Sequence, residues 1–285
     1  MAAEAYTTSY YHSEPVPVTE PLSLSMLISN HIWSYAIFGK DFKTVYELCE
    51  VHLQAANSGG MALSEQVDHL LHNHGLHQKK FDKVVVGVIN HQFTMVPDAY
   101  AGDGYTREYL AFTTGQTAMR INHQHHVQGL LFGYSLPDDL QAVIEKTFAN
   151  AFIRHSGAVN IYLLSSQHSL KDAQLFLNLH DGQVELVARN SKGLCFYNVF
   201  DYQNNEDVLY YLLFMMEQYA LNPLTSKVVI ASGREVTDDL MKTIKKYIKQ
   251  VGLAVNAPSV QMPGVFASLP QHYFFTLLNQ PLCEL

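Results

Sequence analysis

The fifteen histidines and three cysteines have the widest chemical reach of any residues in this sequence. His69, His72, His74 and His77 gather at the end of a predicted helix, and His123, His125 and His126 precede a predicted strand. His69 and His72 share a helix face, and imidazole is a good zinc ligand. No carboxylate or cysteine completes either set at a known spacing, however, so both clusters read as solvated surface histidines and no metal is assigned. Cys49, Cys195 and Cys283 stand far apart. They form no C-x-x-C and no metal spacing, and their odd number does not suggest a disulfide framework. Cys195, inside a predicted strand, reads as a small buried hydrophobe. The chain has no G-x-x-x-x-G-K-[ST], G-x-G-x-x-G or G-x-S-x-G motif. Two glycine-bearing turns remain. Asp181-Gly182 is the strongest hairpin dipeptide in the chain, and Ser232-Gly233-Arg234-Glu235 follows a short apolar run.

Composition narrows the classes these residues could serve. Of 285 residues, 48% are hydrophobic and 15% charged, which excludes a disordered or fibrous chain. A formal charge of −8 gives no broad basic surface for non-specific nucleic-acid binding. The longest apolar run, VLYYLLFMM at 208–216, is too short to span a bilayer. The first twenty residues hold no Lys or Arg and no apolar run, so they do not read as a signal peptide. With Tyr6, Tyr10, Tyr11, three glutamates, Pro15 and Pro17, residues 1–20 read as a flexible leader. A cytoplasmic protein with no membrane and no nucleic-acid partner is the expectation.

The elements that must carry these residues come in two similar sets. Segments 22–28, 32–38 and 42–53 alternate and are separated by tight turns, which predicts an antiparallel meander. After the Gly59-Gly60 break, residues 61–74 carry a helical stripe, and KVVVGVI at 83–89 suits a buried strand. Segment 126–136 reads as a strand, 137–149 as a helix with Asp138 and Asp139 at its start, and 158–164 as a strand. The order then recurs. Segments 173–180, 183–189 and 194–200 predict a second meander, with turns at Asp181-Gly182 and at Asn190-Ser191-Lys192-Gly193. A helix begins after Asn204 or Asn205 and runs to about 220, apolar nearly all round and therefore expected to be buried on several sides. A strand at 227–231 and a helix at 236–251 complete the set. Strand starts at 22, 32 and 42 recur at 173, 183 and 194, a near-constant spacing that predicts internal duplication.

A meander followed by alternating helices and strands resembles the ribonuclease-H-like fold, and two such units in tandem resemble the actin-like ATPase superfamily. More narrowly, NVFDYQNNEDVLYYLLFMMEQYALNP (198–223), KVVIASG (227–233), FTMVPDAY (93–100) and the strand ending GYSLP (133–137) resemble a bacterial family of uncharacterised proteins with an actin-like ATPase fold. The resemblance covers roughly residues 22 to 280. It implies an α/β chain with lobes at 21–165 and 166–285. It also implies that phosphates, where held, would lie at the first hairpin turn of each half, with glycines admitting backbone N–H groups and an Asp organising the metal.

In the first half that turn is Ile28-Ser29-Asn30-His31-Ile32, with neither Asp nor Gly. In the second it is Asn178-Leu179-His180-Asp181-Gly182, where Asn178 stands at the position expected to be acidic. The adenosine stretch keeps Ser232 and a single glycine, Gly233. Asp181, Gly182, Ser232 and Gly233 are therefore a vestigial nucleotide site, with no catalytic residue, no cofactor and no metal. Phosphoryl transfer depends on positioning and charge stabilisation, so losing one cradle predicts lost hydrolysis. The function expected is an inactive binding or scaffolding module for an unknown protein partner or a second copy; an ATP-binding protein with an atypical inter-lobe site is the alternative. A metal-dependent nuclease needs clustered carboxylates, and residues 22–39 contain none.

Overall fold

The computed structural model describes residues 6–16, 20–53, 61–101, 105–115, 123–167, 170, 172–190, 193–233 and 236–284. The Gly59-Gly60 break, Ser191-Lys192 and Arg234-Glu235 lie outside the described residues, as do the ends of the leader at 1–5 and 17–19 and the side chains of His123 and His125.

The first half begins with strand β1 (Tyr6–Ser13), followed by the meander β2 (Leu22–Ile28), β3 (Ile32–Phe38) and β4 (Val45–Leu53). Helix α1 (Leu63–Asn73) then leads to β5 (Phe81–Val88). A small sheet follows, made of β6 (Phe93–Pro97), β7 (His123–Val127) and β8 (Leu130–Tyr134), with α2 (Tyr105–Thr114) between the first two. Helix α3 (Asp138–Thr147) and β9 (Ala151–His155) close the half, and α4 (Ser156–Ser166) leads out of it. The second half runs β10 (Leu175–Leu179), β11 (Gln183–Asn190), β12 (Gly193–Asp201), α5 (Asn205–Gln218), β13 (Lys227–Ser232), α6 (Asp238–Tyr247), β14 (Gln250–Leu253) and α7 (Phe275–Asn279).

The two large sheets are built alike. The first has the order β1-β4-β3-β2-β5-β9 and the second β12-β11-β10-β13-β14. In each, a three-stranded antiparallel meander is followed by two parallel strands, and in the first sheet β1 adds a fourth antiparallel strand at the meander's outer edge. The predicted meanders are thus present in both halves. The first core gathers Trp33, Tyr35, Phe38, Phe132 and Phe275, and the second sets Leu177, Leu186 and Ile230 against Val208, Leu212 and Ile244 of the covering helices. Asn204 caps α5, its side chain accepting from the Asp207 N–H, and Thr237 does the same for α6. Among the described residues, no helix is long and apolar enough to cross a membrane.

Five expectations need correction. Residues 6–13 of the leader form β1, paired antiparallel along β4, with Tyr10 packed on Phe274 at 5.3 Å between ring centres. Their lack of an apolar period misled, because a strand on a sheet edge is held by its ladder as well as by its face. Segment 158–164 is helix rather than strand: an apolar run buried on nearly all sides shows no periodicity to tell the two apart. Segment 126–136 is a hairpin, because Gln128 (φ 51°) and Gly129 (φ 76°) both take left-handed backbone and reverse the chain. The last predicted helix stops at Tyr247, and residues 250–253 pair in parallel with β13. Helix α5 buries Val208, Leu212, Met215 and Met216 but leaves Tyr210 62% and Phe214 43% exposed, so it has an open face.

Candidate functional site

The tight turn at Asp181-Gly182 sets the register of β10 against β11. Leu179 faces Val184, and Asn178 faces Glu185 across the hairpin. Both side chains of the second pair are almost fully buried. A lone carboxylate there would be strongly disfavoured, and Glu185 is not alone. Tyr197 OH on β12 donates to Oε1 at 2.7 Å. Oε2 accepts from Ser156 Oγ at the start of α4, Asn178 Nδ2 and His180 Nε2, each at 2.9 Å. Burial works against the charge of Glu185. The hydrogen bond and charge of His180, with the bonds from Tyr197 and Ser156, outweigh it and hold the carboxyl below its ordinary range. The Tyr197 phenol is pushed far up by burial and by Glu185.

This network ties the halves together. Asn178 Nδ2 also donates to Thr276 Oγ1 of α7 at 2.8 Å, and Thr276 Oγ1 donates to Asn160 Oδ1 of α4 at 2.8 Å. Asn160 Nδ2 reaches Ser156 Oγ at 3.3 Å. Gly157 admits Tyr197 to this position, since a Cβ there would stand 2.3 Å from the ring. His180 Nδ1, on the far side of the imidazole, is buried without a hydrogen-bond partner. It lines a void of about 10 Å³ together with Glu50, Ser34, Gly233 and Phe274, which is room for a single water.

The two first-hairpin turns meet at the same junction. Ser29 Oγ accepts from the backbone N–H groups of His31 and Ile32, both at 3.0 Å, so this turn directs two of its donors to its own side chain. The His31 imidazole lies on Gly182 (φ 68°), where a Cβ would stand 3.1 Å from Nδ1. Asp181 Oδ2 is 2.9 Å from His52 Nδ1, without the angle of a hydrogen bond. Asp201 Oδ1 accepts from Gln183 Nε2 at 2.9 Å, with His91 and His31 at 3.6 and 3.9 Å.

At the end of β13, Gly233 N donates to Leu179 O at 2.9 Å and Ser232 N to His272 O at 3.0 Å. A Cβ on Gly233 would stand 2.9 Å from Glu50 Oε2. Asp181, Gly182, Ser232 and Gly233 are therefore brought together, each in contact with protein.

Sequence reasoning passed over Glu185, His180, Tyr197, Ser156, Asn160, Thr276 and Glu50. The signal for Glu185 was present: a two-residue Asp-Gly loop places residue 178 opposite 185, a polar pair between apolar neighbours. Among the described residues, no group of three His, Cys, Asp or Glu side chains is arranged to hold a metal. His69 is exposed, and His72 stacks on His77 at 4.2 Å. His74 turns inward to the Tyr35 hydroxyl at 3.1 Å, its pKa lowered by burial. Cys195 is only partly buried, with its thiol pKa raised by desolvation.

Comparison with known proteins places the fold. The chain is similar to a solved Bacteroides thetaiotaomicron protein described as having an actin-like ATPase fold and unknown function. The two share 15% identity at a TM-score of 0.71, over 93% of this chain and 97% of that one. It is also similar to a chain of the PilM-PilN type IV pilus biogenesis complex, with 10% identity and a TM-score of 0.56 over 93% and 98% of the two chains. None of the curated proteins compared matches the sequence. The fold is that of the actin-like ATPases, as the two meanders implied. Residues 18–251 match a family described as "Protein of unknown function (DUF3822)", and with most of its length inside that match the chain belongs to the DUF3822 family.

Proposed function

We propose that this chain is a bacterial, cytoplasmic actin-like protein whose inter-lobe site no longer takes a nucleotide, and that it works as a binding or scaffolding module. Its lobes, 21–165 and 166–285, would descend from one duplicated unit. The observation that carries the reading is the contact of His31 with Gly182. A phosphate held by two hairpin turns must lie between them, and here an imidazole fills that place. Two further features support it: Ser29 occupies the His31 and Ile32 N–H groups, and Leu179 O occupies that of Gly233. With those donors engaged, the residues present do not fit a magnesium-bound triphosphate, which needs convergent N–H groups and a free carboxylate. Similarity to a chain solved within a PilM-PilN complex supports a protein partner as the ligand class, with a second copy as the other candidate.

Titration calorimetry with ATP and magnesium, beside a phosphate-release assay, tests this. The expected result is affinity weaker than about 1 mM and no hydrolysis above background. Micromolar binding that weakens in Asp181→Ala or Gly233→Val would overturn the reading in favour of an ATP-binding protein.

A further inference from the structure

Helices α5 and α6 lie side by side on one face of the second sheet, with Val208, Leu212, Leu240 and Ile244 in the core beneath them. Asn205 Nδ2 donates to Asp239 Oδ2 at 3.2 Å and ties their first turns together. Tyr210 and Phe214 follow Val208 and Leu212 by two positions, and Lys242 and Lys246 follow Leu240 and Ile244 by two, which turns all four away from the sheet. One layer thus presents two unlike ridges. The α5 ridge runs Glu206, Tyr210, Phe214, Glu217, all exposed, and this helix contains no Lys or Arg. Its two rings stack at 6.0 Å, and Tyr210 continues through Tyr211 at 5.6 Å to Phe200 at 4.4 Å. Joined aromatic surface open to solvent marks a contact site. The α6 ridge carries Lys242, Lys245 and Lys246, all exposed. Among the described residues, none of the three has an acidic partner within ion-pair distance.

We infer that this layer pairs face to face with the same layer of a second copy of the chain, α5 of each lying over α6 of the other. A two-fold axis running along the helices, between α5 and α6, produces this arrangement, and both acidic aromatic ridges then meet lysines. An ammonium group is favoured over the face of a Tyr or Phe ring and beside a carboxylate. The other two-fold, which lays α5 on α5, sets Glu206 and Glu217 against each other with no cation on either helix. The area available sets the strength. A helix of 14 residues is about 21 Å long, and two helices each about 10 Å wide cover roughly 400 Å² per copy. That is about half the contribution of one partner to a standard interface, so the dimer is weak and reversible. The inference does not rest on the loss of the nucleotide site.

Sedimentation equilibrium of the full-length protein from about 1 to about 300 µM tests this. The expected result is a reversible monomer–dimer transition with a dissociation constant on the order of 10–100 µM. Two charge-reversed variants, Glu206→Lys with Glu217→Lys and Lys242→Glu with Lys246→Glu, each oppose like charges across the pair. Each dimerises at least about tenfold more weakly than wild type with the fold retained. Their equimolar mixture regains the dimer, because one α5–α6 contact is then native and the other is reversed on both sides. Phe214→Ser, which removes an exposed ring, serves if a reversed variant does not fold, and weakens pairing in the same direction. A monomer across the whole range, a dimer unweakened in the folded variants, or a mixture that stays monomeric each overturns the proposal. Growth beyond a dimer also overturns it, since an isologous contact closes.

Discussion

Glu185 accepts a hydrogen bond from His180 Nε2 at 2.9 Å, with the two side chains 0% and 2% exposed, at the junction of the two halves. This pair sits where the resemblance to ATPases would place a phosphate-holding turn, and it is satisfied by the protein's own groups. Replacing one partner leaves the other buried and uncompensated. Glu185→Ala is expected to cost about 3–5 kcal/mol of unfolding free energy in urea or guanidinium titration. Glu185→Gln, which keeps the shape and one acceptor, should cost less. A loss under about 0.5 kcal/mol for the alanine variant would show that the network does not hold the halves together.

Acid sensitivity follows from the same carboxyl. Its folded pKa is depressed, so its contribution to stability is fully present above the ordinary glutamate range and is lost as pH falls through the depressed value. Stability of the wild-type chain should drop on acidification below that range. Glu185→Gln should lose part of this slope, measured as unfolding midpoints at a series of pH values. Parallel pH profiles for the two proteins would contradict the assignment.

Gly157 is the position that admits Tyr197. A Cβ there would stand 2.3 and 2.5 Å from the tyrosine ring and 2.7 Å from Phe132. Alanine favours a helix over glycine by about 1 kcal/mol, yet Gly157→Ala is expected to destabilise by roughly 1–3 kcal/mol because the core is overpacked. A thermal midpoint equal to or above wild type would show that Tyr197 can move aside.

Removal of residues 1–13 exposes the edge of β4. The pairs lost run from Tyr6 opposite Leu53 to Ser13 opposite Glu47, together with the Tyr10–Phe274 contact. At roughly 0.2–1 kcal/mol per cross-strand pair, the truncated protein should be less stable by on the order of 2 kcal/mol. It should also associate through the bared strand. Differential scanning calorimetry and size-exclusion chromatography check both parts; an unchanged midpoint and a monodisperse profile would restore the view of this segment as a loose leader.

Much of the architecture was local information. The alternation in 22–28 and 32–38, the Asp181-Gly182 turn and the Asn204 cap each act over a few residues, so both meanders, α5 and their repeated order were legible from the sequence. Tertiary structure decided the rest. Segment 158–164 could not be told from a strand, because its surroundings bury nearly every side and so remove the periodicity that separates the two. Residues 6–13 became a strand because β4, more than thirty positions away, offers an unpaired edge. The site depended on distance still more: Ser156, Asn160, His180, Glu185, Tyr197 and Thr276 lie on four elements and the β10–β11 turn, and only the packing of α4 and α7 against the second meander brings their polar atoms within hydrogen-bond reach. Local sequence settled which strands and helices form, whereas the charge balance at the junction came from contacts between residues as many as 116 positions apart.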